Sequence, residues 1–129
     1  MKNKGFTLIE LLAVIVILAI IALIATPMIL GVIDTAKQGS AKSAALGYAD
    51  AVEKQIMINQ LDNDATNDIT NDEYTVAELT AKGVTVKGDV PTGNVTIANN
   101  KVSSATLTFA KIYDKSVTVD ANGTATVAS

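Results

Sequence analysis

Apolar and polar positions separate sharply along this chain. From Leu11 to Ile33 no residue is charged, and the run Leu8–Leu30 is dominated by Leu, Ile, Val and Ala. A helix rises about 1.5 Å per residue, so about 20 residues cross a bilayer core about 30 Å thick. The run is long enough to cross. It is too long for the apolar core of a secretory signal, and no small-residue cleavage site closes it. From Asp34 onward the pattern becomes amphipathic. Ala41, Ala45, Tyr48, Val52 and Ile56 recur at steps of three and four, which is one helical face. Asp50 and Lys54 form an i,i+4 pair on the outer side. Gly31, Gly39 and Gly47 lower the propensity locally. The spacing predicts one helix from about Thr7 to about Gln60, apolar all round at first and amphipathic later.

The second half must bury its stripe, and the C-terminal half supplies the partner. Val84–Lys87, Asn94–Ala98, Lys101–Ala110, Lys115–Asp120 and Thr124–Ala128 are rich in Val and Thr and alternate with period two. Asn99-Asn100 and Asn122-Gly123 are turn dipeptides of the hairpin kind. Val95, Ile97, Ala105, Leu107, Phe109, Val117, Val119, Ala125 and Val127 share the expected inward face. A short helix at Val76–Lys82 precedes the sheet, with Thr75 and Glu78 as a capping box and Gly83 as its stop. The expected fold class is α+β: a long N-terminal helix packed on an antiparallel meander of three to five strands.

Composition narrows the chemistry. The chain has no His, Cys or Trp and no Arg, and its net charge is −3. Without Cys there is no disulfide scaffold or thiolate metal site. Without His the commonest general base and transition-metal ligand are missing. No basic nucleic-acid footprint is visible. Ser40, Lys42 and Ser43 lie on the helix with no pocket implied, so an enzyme is not expected.

Two features distinguish the N-terminus from a plain anchor. Glu10 stands at the beginning of the apolar run, where a carboxylate in hydrocarbon costs about 3 kcal/mol or more. Gly5-Phe6 follows Lys2 and Lys4, which the positive-inside rule keeps cytoplasmic. The string KGFTLIELL followed by an uncharged apolar stretch resembles the N-terminus of type IV prepilins and the related pseudopilins. That resemblance implies cleavage after Gly5 by prepilin peptidase on the cytoplasmic side, and methylation of the new N-terminal amine on Phe6. It implies that the Glu10 carboxylate pairs with the Phe6 amine of a neighbouring subunit during assembly, an attraction far stronger in low dielectric than in water. Pro27 matches the proline that pilins carry partway along the first helix. With Gly31 it predicts a bend or melted segment around Ala25–Gly31 in the assembled filament. The chain departs from many pilins in lacking a C-terminal Cys pair, so the sheet ladder must hold the last strands.

The resemblance divides the chain into a leader (1–5), a membrane-spanning and filament-core helix (6–33), its amphipathic continuation (34–61) and the remainder of the head (62–129). It implies a structural subunit of a type IV pilus filament, serving adhesion, twitching motility, biofilm formation or DNA uptake. The partners are identical or related pilin subunits, prepilin peptidase, the inner-membrane assembly platform and the membrane before assembly. The head then lies outside the cytoplasmic membrane, and later on the cell surface. A pseudopilin of a secretion or competence system shares the same N-terminus. A monomeric membrane-anchored binding module is the alternative of a different class.

The polar loop at residues 62–73 reads DNDATNDITNDE. Against a twelve-residue calcium loop, Asp62, Asp64, Thr66, Asp68, Thr70 and Glu73 occupy the ligand positions, with Ile69 at the apolar one. Asn67 stands where that motif has glycine. The plain expectation is a solvated acidic loop with no cofactor, and calcium is the one candidate ligand.

Overall fold

The computed structural model describes residues 5–63 and 65–128. Its elements run α1 (Leu8–Asp62), a 3₁₀ turn (Ala65–Asn67), β1 (Glu73–Thr75), α2 (Val76–Ala81), β2 (Thr92–Ala98), β3 (Lys101–Thr108), β4 (Ser116–Asp120) and β5 (Ala125–Val127). The chain divides after Ala36 into two compact units.

In the first unit the residues from Leu8 to Ala36 are helical throughout, including at Pro27. Its large apolar side chains, from Phe6 through Ile33, are exposed. The stretch is long and apolar enough to cross a membrane. A helix that is apolar all round and has no buried residue along this stretch needs lipid or other chains around it.

The second unit is the α+β head, and the long helix with this sheet makes the arrangement pilin-like. The five strands lie in the order β1-β2-β3-β4-β5, each antiparallel to its neighbour. The α1 residues Ala41, Ala45, Tyr48, Val52 and Ile56 are buried in one cluster with Val95, Ile97, Val102, Ala105, Leu107, Phe109, Val117 and Val119. The helical period of three and four meets the strand period of two there. Ala125 and Val127 share that face but are half-buried, because β5 is short and lies at the sheet edge. Burying a Val, Leu or Ile contributes about 1.5–3 kcal/mol each. The exposed pair Lys111–Asp89 at 3.4 Å contributes about 0–1 kcal/mol, so the core decides the fold. Asp50 and Lys54 are both exposed, and among the described residues neither forms an ion pair.

The turns follow from single residues. Asn99 and Asn100 both take positive φ, 55° and 62°, and close a two-residue hairpin of the predicted kind. Gly93 has φ +136°, and a Cβ there would overlap the Thr106 carbonyl oxygen across the β2–β3 ladder. Only glycine fits at that position.

One predicted strand is corrected. Val84–Lys87 is not a strand. The Val84 N–H donates to the Leu79 carbonyl at 3.0 Å, and the Gly83 N–H to that of Thr80 at 3.2 Å. These two bonds close α2 with Gly83 at φ +102°, the Schellman arrangement, so Val84 serves a helix end rather than a ladder. The place beside β2 is taken by β1, which pairs Glu73 with Thr96 and Thr75 with Asn94. The capping box is as expected: Thr75 Oγ1 accepts from the Glu78 N–H at 3.2 Å, and Glu78 Oε2 accepts from the Thr75 N–H at 2.7 Å. The Thr75 N–H, and the Thr75 hydroxyl donating to the same carboxylate oxygen at 3.0 Å, hold the Glu78 carboxyl below its ordinary pKa.

Candidate processing and assembly segment

Gly5, Phe6 and Thr7 precede the first helical residue, Leu8. Thr7 is the N-cap. Its Oγ1 accepts from the Glu10 N–H at 3.2 Å, its own N–H donates to Glu10 Oε2 at 3.1 Å, and its carbonyl accepts from Leu11. Thr7 and Glu10 therefore form a capping box, which satisfies two donors that a helix start otherwise leaves open. The Glu10 carboxylate is folded back toward the N-terminus, hydrogen-bonded one residue from Phe6. The helix dipole favours an anion at this end.

Sequence reasoning missed this arrangement although its signal was present. Thr-Leu-Ile-Glu before an apolar run is the same Ser/Thr-x-x-Glu pattern that was recognised at Thr75. The structure thus gives Glu10 a partner inside its own chain, beside the one expected from a neighbour. Gly5 has open space around it, and Phe6 is 87% exposed, so neither is packed against the described chain. The leader lysines Lys2 and Lys4 lie outside the described residues.

Farther along, Pro27 cannot donate to the Leu23 carbonyl, so this helix lacks one rung. Just before it, Thr26 Oγ1 donates to the Ala22 carbonyl at 2.6 Å, and Thr35 Oγ1 donates to the Gly31 carbonyl at 3.0 Å. Back-bonding hydroxyls of this kind compete with the helical ladder.

The polar loop is organised by contacts within the protein. Asp62 ends α1, and Asp64 lies outside the described residues. Thr66 is in the 3₁₀ turn. The Asn67 carbonyl accepts from Asn59 Nδ2 at 2.6 Å, and the Asp68 carbonyl accepts from Lys82 Nζ at 2.9 Å. The Thr70 N–H donates to the Tyr74 hydroxyl at 3.0 Å. Glu73 lies in β1 and its Oε1 accepts from Asn94 Nδ2 at 3.0 Å. Among the described loop residues the left-handed one is Asn63, φ 48°, not Asn67. Among the described residues no three acidic side chains gather around one point. Ser40 and Ser43 are exposed on α1 and Lys42 is half-buried.

A long helix with an antiparallel sheet over its second half defines a pilin-like class of chain. Residues 1–26 match the family described as the prokaryotic N-terminal methylation motif, the prepilin-type signal of type IV pilins and pseudopilins. No curated protein and no solved structure matches the chain significantly. The motif implies processing by prepilin peptidase and assembly into multimers in general.

Proposed function

We propose that this chain is a structural subunit of a type IV pilus, cut between Gly5 and Phe6 and assembled through its N-terminal helix. The observation that carries this reading is the methylation motif joined to an exposed apolar helix. A processed helix of this kind anchors in the cytoplasmic membrane, with the head outside, until it enters the filament. Packing against other helices then replaces lipid contacts, so extraction need not forfeit much hydrophobic energy. In the filament the Glu10 carboxylate leaves or shares its hydrogen bond to Thr7 and pairs with the Phe6 amine of a neighbour, which fixes axial register. An unpaired charge in such a bundle would be strongly destabilising. The chain has no enzymatic role in this account.

The test is electron microscopy of sheared surface filaments with antibody against the head. Labelled filaments on the cell surface are expected. Chain that is cut but found only in short assemblies within the envelope would favour a secretion or competence pseudopilus. Uncut monomeric chain would favour a membrane-anchored module.

A further inference from the structure

The tip of the β4–β5 hairpin reads Asp120-Ala121-Asn122-Gly123-Thr124. Asn-x-Thr, with x other than Pro, is the acceptor pattern for N-linked glycosylation and belongs in surface loops of exported chains. The pattern occurs a second time, at Asn94-Val95-Thr96. The structure separates the two.

Asn94 lies within β2, paired with Thr75 of β1 on one side and Thr106 of β3 on the other. Its side-chain amide donates to Glu73 Oε1, and Thr96 is half-buried. Asn94 is exposed, but its amide is engaged, and bending its backbone into a transferase's acceptor site means opening two ladders.

Asn122 is different in both respects. Residues 120–124 are all exposed. Asp120 folds the loop from both its side chain and its backbone: its Oδ1 accepts from the N–H groups of Asn122 and Thr124, both at 2.9 Å, its carbonyl accepts from Gly123 at 3.1 Å, and its N–H donates to the Thr124 carbonyl at 3.0 Å. Gly123, at φ +80°, completes the turn. Among the described residues the Asn122 side-chain amide has no hydrogen-bond partner. The strand beyond it, β5, has three residues and among the described residues pairs only with β4, so opening the tip disturbs little.

We propose that Asn122 is an N-glycosylation acceptor, taking an oligosaccharide from a polyprenyl-diphosphate-linked donor through a membrane oligosaccharyltransferase. The Asn122 side-chain nitrogen forms a bond to the anomeric carbon. The bond from that carbon to the diphosphate oxygen breaks, and the electron pair leaves with the polyprenyl diphosphate. The amide gives up one proton to a base of the transferase, and nothing is oxidised or reduced. The site rests on export of the head as proposed above. Its position suits a guarding role, because β5 is an open edge of the sheet and bulky polar matter at its hairpin shields unpaired backbone from other strands.

The experiment is mass spectrometry of the full chain, purified from the cells that make it and digested after lysine. The C-terminal peptide, residues 116–129, should carry sugar residue masses. They should vanish completely in Asn122→Gln and in Thr124→Ala, and persist in Asn94→Gln. Because the tip is exposed, Asn122→Gln and Thr124→Ala should keep the wild-type Tm. A bare 116–129 peptide in the wild-type chain overturns the proposal, as does a sugar mass that survives Asn122→Gln. The N-terminal peptide is read from the same digest. Methylated Phe6 with bare Asn122 removes the glycan alone, whereas an uncut leader with glycosylated Asn122 removes the processing scheme alone.

Discussion

Glu10 has two roles in this account, and Glu10→Gln separates them. In the subunit its carboxylate closes the capping box with Thr7. In the filament it neutralises a neighbour's amine. Glutamine serves the first role, since its amide oxygen accepts from the Thr7 N–H as a Glu oxygen does. It cannot serve the second. Opposite charges 4 Å apart attract by about 4 kcal/mol at an effective dielectric of 20. Losing that is on the order of 10³-fold in the affinity of one subunit for the growing end. The cap itself is worth about 1 kcal/mol. Glu10→Gln should therefore be cleaved normally, insert normally and yield almost no sheared filaments. Glu10→Ala should be no better, and Thr7→Val, which keeps the charge and loses the hydroxyl, should assemble at near wild-type yield. The assay is the pelletable filament fraction beside the N-terminal mass. Wild-type filament yield from Glu10→Gln together with failure of Glu10→Ala would refute the electrostatic reasoning, because the carboxylate would then matter only as a cap.

Further predictions concern the head. Gly93→Ala places a Cβ on the Thr106 carbonyl at a positive φ and should cost upwards of about 2 kcal/mol, seen as a lower Tm. The Tyr48 hydroxyl is buried and has no hydrogen-bond partner among the described residues, and burial raises its pKa to about 12. Tyr48→Phe should thus stabilise the head by about 1 kcal/mol. Because the folded pKa lies above the unfolded one, this group leaves stability independent of pH below 10, and stability falls as pH rises from 10 toward 12 because only the unfolded phenol ionises readily there. Tyr48→Phe should remove that fall. For Glu78 the folded pKa is lowered, so its contribution is present above the unfolded carboxyl pKa and fades as pH falls through the folded one. Glu78→Gln should flatten that acid limb of a denaturation profile. Millimolar calcium should leave the Tm of the full chain in detergent unchanged, because Glu73 Oε1 already accepts from Asn94 and the Asp68 carbonyl from the Lys82 ammonium. A saturable rise in Tm would show that the loop rearranges around the ion.

The periods in the sequence carried most of the fold. The stripe Ala41 to Ile56 and the alternation from Val95 to Val119 became one core because each implies a face needing the other. Val84–Lys87 misled for a local reason: β-branched residues after a helix read as a strand, yet the Val84 N–H was already committed to the helix end. β1 was illegible because three residues in a polar loop have no period. Gly93 was overlooked because its necessity lies in a carbonyl across the ladder, not in its neighbours along the chain. At the N-terminus the motif was plain, but attention to Glu10 as a charge hid its partnership with Thr7.

The central claim is that the chain is a precursor whose mature form begins at Phe6 and builds a filament. Mass spectrometry of the N-terminal peptide from purified surface filaments tests it most directly. The account predicts a peptide that starts at Phe6 and carries one added methyl on its amine. A peptide that retains Met1 to Gly5, or begins beyond Phe6, would contradict it.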